Sequence, residues 1–337
     1  MALFKTDPKT VAGSDPAAAS LAEAIAHVRR QCDEILERVN GMSEQLAQLT
    51  ARERELRRIL EHNSQYEPHL ERLGKLMRKK LTPDRIAAAI DRADLRLDPC
   101  PYTVIDGLLP DELYGALLHG LPPVELFVDK PATKQQLAVP FDLAPTYSQR
   151  VWTHLVNELI PNAIAPRLIE KFRVQIDQWI SLNWPQLDPR SVELHGSGGR
   201  IMLRRRGYRI RPHRDPKWSF ITCILYLARP GDDEAWGTQI YAVNDDEEAK
   251  NAAPYWISEK QCRLVEDVKF KPNRLLVFLN SVGAHGASIP DDALPESLER
   301  YIYQFRLGPT VEAIAMLKSM LPEERQALWA GKALVDY

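Results

Sequence analysis

Between Leu21 and Leu60 the apolar residues keep heptad time. Leu21, Ile25, Val28, Cys32, Ile35, Val39, Met42, Leu46 and Leu49 follow alternating steps of four and three, Glu53 interrupts, and Leu56 and Leu60 resume the register. So narrow a stripe runs along one side of a single α-helix, and a lone helix cannot bury it. The seam therefore needs a partner: a second copy of the chain, the apolar stretch from Leu70 to Met77, or the body of the protein. Self-association into a coiled coil is the preferred expectation. Asp15 and Pro16 supply a capping side chain and a first-turn proline at its start, and Pro68 is expected to end it. Gly41 is a weak point worth about 1 kcal/mol relative to alanine, where the helix could bend. Residues 1–13 read as a disordered N-terminus and 14–80 as a helical oligomerisation region.

The heptads stop at Arg78-Lys79-Lys80, and Leu81-Thr82-Pro83-Asp84 then opens a short helix over Arg85 to Ala93, which places a domain boundary near residue 80. Tyr102 to Ile105 reads as a strand, a helix is expected from Pro110, and helices dominate to about Leu182. From residue 191 the character changes. Apolar runs over Phe220–Leu227, Thr238–Val243, Arg274–Leu279 and Arg300–Leu307 are short and separated by Gly, Pro and Asn/Asp clusters. That spacing predicts a sandwich or jelly roll with the preceding helices packed outside, an α+β chain with its β-core in 81–337. Val311, Ile314, Leu317 and Leu321 predict a C-terminal helix within 310–337.

Composition removes several classes of function. The 337 residues carry 44 Lys and Arg against 46 Asp and Glu, a net charge of −2, which argues against a nucleic-acid binder driven by bulk positive charge. Cys32, Cys100, Cys223 and Cys262 form no Cys-x-x-Cys pair. Zinc fingers and dithiol redox motifs are therefore excluded, and a reducing compartment is expected. No signal-like apolar run opens the chain and no stretch of eighteen apolar residues occurs, so a cytoplasmic, non-membrane protein is expected.

Chemistry concentrates late in the chain. In Arg211-Pro212-His213-Arg214-Asp215, the His and Asp are two residues apart, so on an extended segment both face the same way and can grip one ion. Seventy residues later His285 follows the strand Leu275–Leu279. Two histidines and one carboxylate on neighbouring strands form a facial triad, the arrangement that leaves open positions on an octahedral metal and marks non-haem Fe(II) oxygenases. Each residue alone is unremarkable; their order and spacing are not. Arg300 opens a further strand, where a buried cation needs an anionic partner.

Several separated segments resemble the Fe(II)- and 2-oxoglutarate-dependent oxygenases, in particular the prolyl-4-hydroxylase-like branch. Pro212-His213-Arg214-Asp215 resembles the family's His-x-Asp, with Gly207 and Ile210 spaced as in its preceding strand. Ile224-Leu-Tyr226-Leu resembles the strand that supplies a tyrosine to the cosubstrate, and Trp236-Gly237-Thr238 stands where many members have Gly-Gly. Pro272-Asn-Arg-Leu-Leu-Val-Phe leads to the distal His285, Arg300-Tyr-Ile-Tyr-Gln closes the set, and Pro101-Tyr-Thr-Val-Ile-Asp-Gly resembles the start of the domain. The similarity covers about residues 98–309 and none of the N-terminal helix. It implies a double-stranded β-helix (jelly-roll) core in which His213, Asp215 and His285 hold Fe(II). Arg300 and Tyr226 would bind the distal carboxylate of 2-oxoglutarate, with Gln304 as a third contact. O2 would be the oxidant and hydroxylation of a C–H bond the usual outcome; an aspartate at position 215 disfavours halogenation, which needs that coordination site free.

Two departures concern the substrate. Arg204 stands where close relatives often carry tyrosine, and Trp236 replaces one glycine of the Gly-Gly. Seven arginines crowd residues 200–214 (Arg200, Arg204, Arg205, Arg206, Arg209, Arg211 and Arg214). Those pointing inward, with Arg204, Arg206 and Arg211 as candidates, would suit an anionic small or carrier-linked substrate, since guanidinium forks match phosphates and carboxylates. A prolyl or peptidyl substrate is the alternative that the branch suggests. A non-catalytic metal-binding scaffold presented by the coiled coil is a further one, and a third assigns residues 14–80 to partner recruitment. His195, in Leu194-His-Gly-Ser-Gly-Gly, is expected in a flexible loop that could act as a lid.

Overall fold

The computed structural model describes residues 16–129, 133–137, 141–216, 218–244 and 255–326. The expected disordered segment 1–13 and the end of the expected C-terminal helix, 327–337, lie outside them. The chain divides into two compact units, Met1–Arg57 and Arg58–Tyr337.

In the first unit, α1 (Pro16–Tyr66) runs as one unbroken helix past Gly41 and continues into the second unit. Ion pairs such as Arg57–Glu53 (2.5 Å) support its solvated face. The heptad seam is exposed, Leu21 at 63%, Ile35 at 59% and Leu46 at 66%.

The second unit starts inside α1, earlier than the boundary expected near residue 80. The last turns of α1 are already tied to the body. Asn63 Oδ1 accepts a hydrogen bond from the Thr146 amide (2.7 Å), and the Tyr66 and Tyr147 rings lie 5.2 Å apart. After a turn at Glu67–His69, α2 (Leu70–Met77) buries Leu73 in the core, and α3 (Thr82–Arg92) buries Ile86 and Ile90. There follow β1 (Leu95–Arg96), β2 (Tyr102–Ile105), α4 (Asp111–His119), β3 (Phe127–Asp129) and β4 (Lys134–Leu137). Next come α5 (Thr146–His154), a π-helical segment Leu155–Ile164, α6 (Ala165–Lys171) and α7 (Arg173–Asn183). The β-rich half holds β5 (Leu194–Arg204), β6 (Arg209–Arg214), β7 (Ile221–Tyr226), β8 (Thr238–Val243), β9 (Tyr255–Trp256), β10 (Cys262–Val268), β11 (Leu275–Leu279), β12 (Ala284–Ser288) and β13 (Arg300–Pro309). Helices α8 (Val311–Ser319) and α9 (Glu323–Gln326) end the described chain.

Two antiparallel sheets result, one ordered β1-β2-β11-β7-β13-β5-β4-β3 and the other β10-β8-β12-β6-β9. They pack face to face. Tyr102, Ile224 and Leu276 of the larger sheet share a buried cluster with Ile240 and Val268 of the smaller. The larger sheet's opposite face, with Ile201, Leu203, Cys223, Leu225 and Tyr303, packs under helices that contribute Trp152, Leu168 and Ile180. That double coverage explains why Ile221–Tyr226 and Leu275–Leu279 read as continuous apolar runs rather than alternating ones: every residue in them is buried. This is the jelly-roll core with flanking helices that the sequence implies.

Two segments depart from expectation. The hairpin β3–β4 interrupts a region expected to be helical, and its strand Lys134-Gln-Gln-Leu carries too little apolar signal to be read as one. Residues Leu194–Gly199, expected as a loop or lid, form the first half of β5 and pair with β13 from Pro309 to Arg306. The glycines there serve close packing: a Cβ on Gly199 would stand 2.2 Å from the Gln304 carbonyl oxygen, and one on Gly196 3.0 Å from Ala165.

Candidate active site

The smaller sheet brings the proposed metal ligands together. His213 on β6 pairs directly with His285 on β12, and Asp215 follows the end of β6. One ligand atom from each lies within 4.8 Å of the others, and all three side chains are buried. Ligands around one ion with bonds of about 2.1 Å sit about 3–4 Å apart, so these three converge on one point with little adjustment. The surroundings fix their orientation. His213 Nδ1 lies 2.8 Å from the Arg211 carbonyl oxygen, so a proton there leaves Nε2 with its lone pair free. The His285 ring packs 4.5 Å from that of Phe278.

Protonation also suits a metal. Burial pushes the His285 imidazole down to about 3 and lowers that of His213 as well. Burial alone would raise the Asp215 carboxyl, but Arg306, the two imidazoles and the Thr222 hydroxyl outweigh it and hold the group well below the usual carboxylate range. Two neutral imidazoles and one carboxylate are the deprotonated donors that metal binding demands. Asp215 is held by Thr222 Oγ1 (2.5 Å) and by Arg306 Nη2 (3.2 Å), and Asn280 Nδ2 donates to Thr222 Oγ1 (2.8 Å).

The larger sheet supplies the opposite wall of a cavity of about 370 Å³. Arg300, Ile302, Gln304 and Arg306 all line it from β13. Arg300 is 7% exposed, and its guanidinium lies 3.8 Å over the Phe270 ring. Its Nε has no hydrogen-bond partner, and no carboxylate pairs with it among the described residues. Burial lowers its pKa to about 10, so it stays a cation at neutral pH and needs an anion. Tyr226 lines the same cavity; its oxygen accepts from the Thr238 amide (3.1 Å) and burial raises the phenol to about 12, which leaves an O–H able to donate. The turn between them and the smaller sheet is sterically specific. A Cβ on Gly237 would fall 1.4 Å from the Val268 carbonyl oxygen, while Trp236 adopts φ +62°.

Among the arginine candidates for substrate binding, Arg204 alone lines the cavity. Arg206 is turned outward, its Nε donating to the Asp291 carbonyl (2.7 Å), and Arg211 is exposed and stacks 5.4 Å from the Trp256 ring. A break in the pairing register explains Arg211: His285 pairs with His213 and Ala287 with Ile210, so an extra β6 residue shifts the alternation. Sequence reasoning passed over Arg306, Thr222, Asn280 and Lys134. Arg306 had a usable signal, the two-residue period that continues from Arg300 past Gln304 along one strand.

No family model and no curated protein sequence matches the chain. Among solved structures it is similar to a prolyl-4-hydroxylase from Pseudomonas putida at 17% identity, the match covering 67% of this chain and 99% of that one with a TM-score of 0.35. It is similar to a prolyl hydroxylase from Trichoplax adhaerens, solved with a hypoxia inducible factor peptide fragment, at 12% identity over 73% and 95% with a TM-score of 0.37. HygX from Streptomyces hygroscopicus, solved with nickel, 2-oxoglutarate and hygromycin B, is 15% identical over 62% and 83% with a TM-score of 0.39.

Proposed function

We propose that the protein is an Fe(II)- and 2-oxoglutarate-dependent dioxygenase that hydroxylates a C–H bond of an anionic small or carrier-linked substrate. One observation carries the reading: a buried His213/Asp215/His285 set faces, across one cavity, a buried arginine that has no carboxylate of its own among the described residues. Iron bound by the three ligands would supply the redox chemistry that couples oxidative decarboxylation of 2-oxoglutarate to C–H hydroxylation. The chain's own residues do the positioning. Arg300 and Tyr226 hold the cosubstrate's distal carboxylate by a charge-assisted fork and a hydroxyl, with Gln304 beside them on the wall. Arg306 and Thr222 fix the Asp215 carboxylate, which with His213 and His285 would hold the ion. A scaffold without catalysis would have no use for Arg300, whose burial as a cation is costly unless an anion arrives.

The exposed heptad seam of α1 supports a second proposal, that the protein self-associates through residues 14–80. Among the described residues no helix is long and apolar enough to cross a membrane.

The deciding experiment is anaerobic titration of Fe(II)-loaded protein with 2-oxoglutarate, reading the visible charge-transfer band of the chelate. Wild type is expected to show it and His285→Ala to lose it. Arg300→Ala is expected to keep the metal and weaken 2-oxoglutarate ten- to hundredfold, as for loss of a hydrogen bond to a charged group worth about 1.5–3 kcal/mol. Iron binding without the band would overturn the reading.

A further inference from the structure

The strand register sets three cations in one row. Lys134 on β4 pairs with Arg204 on β5, and Arg204 pairs with Arg300 on β13. All three line the cavity. Like charges directly opposite each other on neighbouring strands repel, so such a row persists only where something negative is meant to lie along it.

Four arginines around this row have carboxylate partners, whereas Arg204 and Arg300 within it have none among the described residues. Arg205 pairs with Glu299 (3.1 Å), Arg209 with Glu259 (2.8 Å), Arg229 with Asp232 (3.3 Å) and Arg306 with Asp215 (3.2 Å). Among the described residues Arg204, 7% exposed, meets only uncharged groups: the carbonyls of Gln135 and Leu203 (both 3.1 Å), the Met202 sulfur (2.8 Å) and the Tyr208 ring (4.8 Å). Its Nε has no partner. Lys134, exposed at the rim, has no hydrogen bond or ion pair among the described residues.

One cosubstrate cannot serve the whole row. 2-Oxoglutarate has two carboxylates; one belongs at the metal and the other at Arg300 and Tyr226. Lys134 stands two strands from Arg300, about 10 Å across the sheet, beyond what a single carboxylate group spans. Among the described residues the only carboxylate lining the cavity, that of Asp215, is held by Arg306 and Thr222.

We propose that Lys134 and Arg204 form a second anion subsite that grips a phosphate or carboxylate group of the primary substrate while Arg300 holds the cosubstrate. This rests on the dioxygenase reading for the role of Arg300. Lys134 meets the anion at the rim and Arg204 fixes it, a point charge followed by a planar fork. The apolar wall of Ile210, Trp236 and Ile289 then receives the substrate's uncharged body.

The test is isothermal titration of the metal-loaded full-length protein under argon, saturated with 2-oxoglutarate, using inorganic phosphate and acetate as probes. At least one probe is expected to bind without displacing 2-oxoglutarate, the tighter one naming the source of the anion. Lys134→Gln and Arg204→Gln are each expected to weaken that probe about tenfold or more, with 2-oxoglutarate affinity held within about threefold, and Lys134→Arg to restore it. Because Lys134 is at the rim, its variant reports even if the Arg204 variant misfolds. Competition between probe and 2-oxoglutarate, equal loss of both on Arg204→Gln, or no binding of either probe would overturn the subsite. Probe binding in a wild-type protein that fails to bind 2-oxoglutarate would leave the subsite standing and overturn the dioxygenase reading instead.

Discussion

Along α1, Leu21, Ile35, Leu46 and Leu60 are each more than half exposed, whereas between the sheets Arg204, Asp215, Arg300 and Arg306 are each less than a tenth exposed. Each region inverts the usual rule of burial, and each does so in a way that a single chain cannot satisfy alone. The remedies differ in kind. The helix needs only more apolar surface, which is non-directional and tolerant of detail. The cavity needs charges at defined points, because a buried ion stabilises only if its partner meets it with good geometry. The helix's hydrogen bonds are local, while the cavity exists only once two sheets have assembled from strands far apart in sequence. Damage to one region should therefore leave the other working.

The largest effect expected from breaking that comparison is at Asp215. Asp215→Ala should abolish Fe(II) binding, measured by anaerobic metal titration, while the elution volume of the protein in size-exclusion chromatography stays unchanged. Loss of assembly in this variant would mean that the two regions are coupled.

Arg306→Gln comes next. Asp215 and Arg306 form a buried pair with side chains 8% exposed on both sides. Removing one member leaves an uncompensated buried charge, a loss of about 3–5 kcal/mol. Denaturant unfolding should show it, and Arg306→Gln made together with Asp215→Asn should recover part of it. A loss under about 1 kcal/mol would show that the pair is not what holds the carboxylate.

For the helix, Leu46→Asp removes one seam layer. Burying a leucine is worth about 1.5–3 kcal/mol, lost once per chain in an associated pair. Light scattering should then show a shift toward monomer, with 2-oxoglutarate binding at the wild-type level. A wild-type protein that is monomeric at all concentrations would break the self-association proposal outright.

The same contrast explains what could be read in the sequence. A heptad is visible because every position in it repeats, and the two-residue interval of His213 and Asp215 is visible because it is local. Strands with one polar face, such as Lys134–Leu137, carry little signal, and glycines that allow close packing, as at Gly196 and Gly199, look like glycines that allow motion. The break in register between Ile210 and His213 is a tertiary feature, so nothing in the sequence shows that Arg211 falls on the outer side. Thr222 and Asn280 were illegible for another reason: nothing in their sequence neighbourhood indicates that Thr222 donates to Asp215 and Asn280 to Thr222.

The mildest effect is on stability against pH, and it isolates the cavity from the helix. His285 is pushed down to about 3 by burial, against about 6.5 in an unfolded chain. Its neutral form is thus favoured in the fold, and the stability this brings is fully present above pH 6.5. As pH falls below 6.5 the unfolded chain takes up a proton that the folded one refuses, so stability declines until the folded group also titrates near 3. At pH 5 the difference from this one group is about 1.5 pKa units' worth, about 2 kcal/mol. Metal-free protein should accordingly unfold at lower denaturant at pH 5 than at pH 7, and His285→Asn should flatten the slope. The helix, which shares no contact with His285, should keep its far-ultraviolet signal over the same interval. An unchanged slope in His285→Asn would mean that the imidazole is hydrated in solution, and with it the whole ligand set would be less dry than its packing between the sheets indicates.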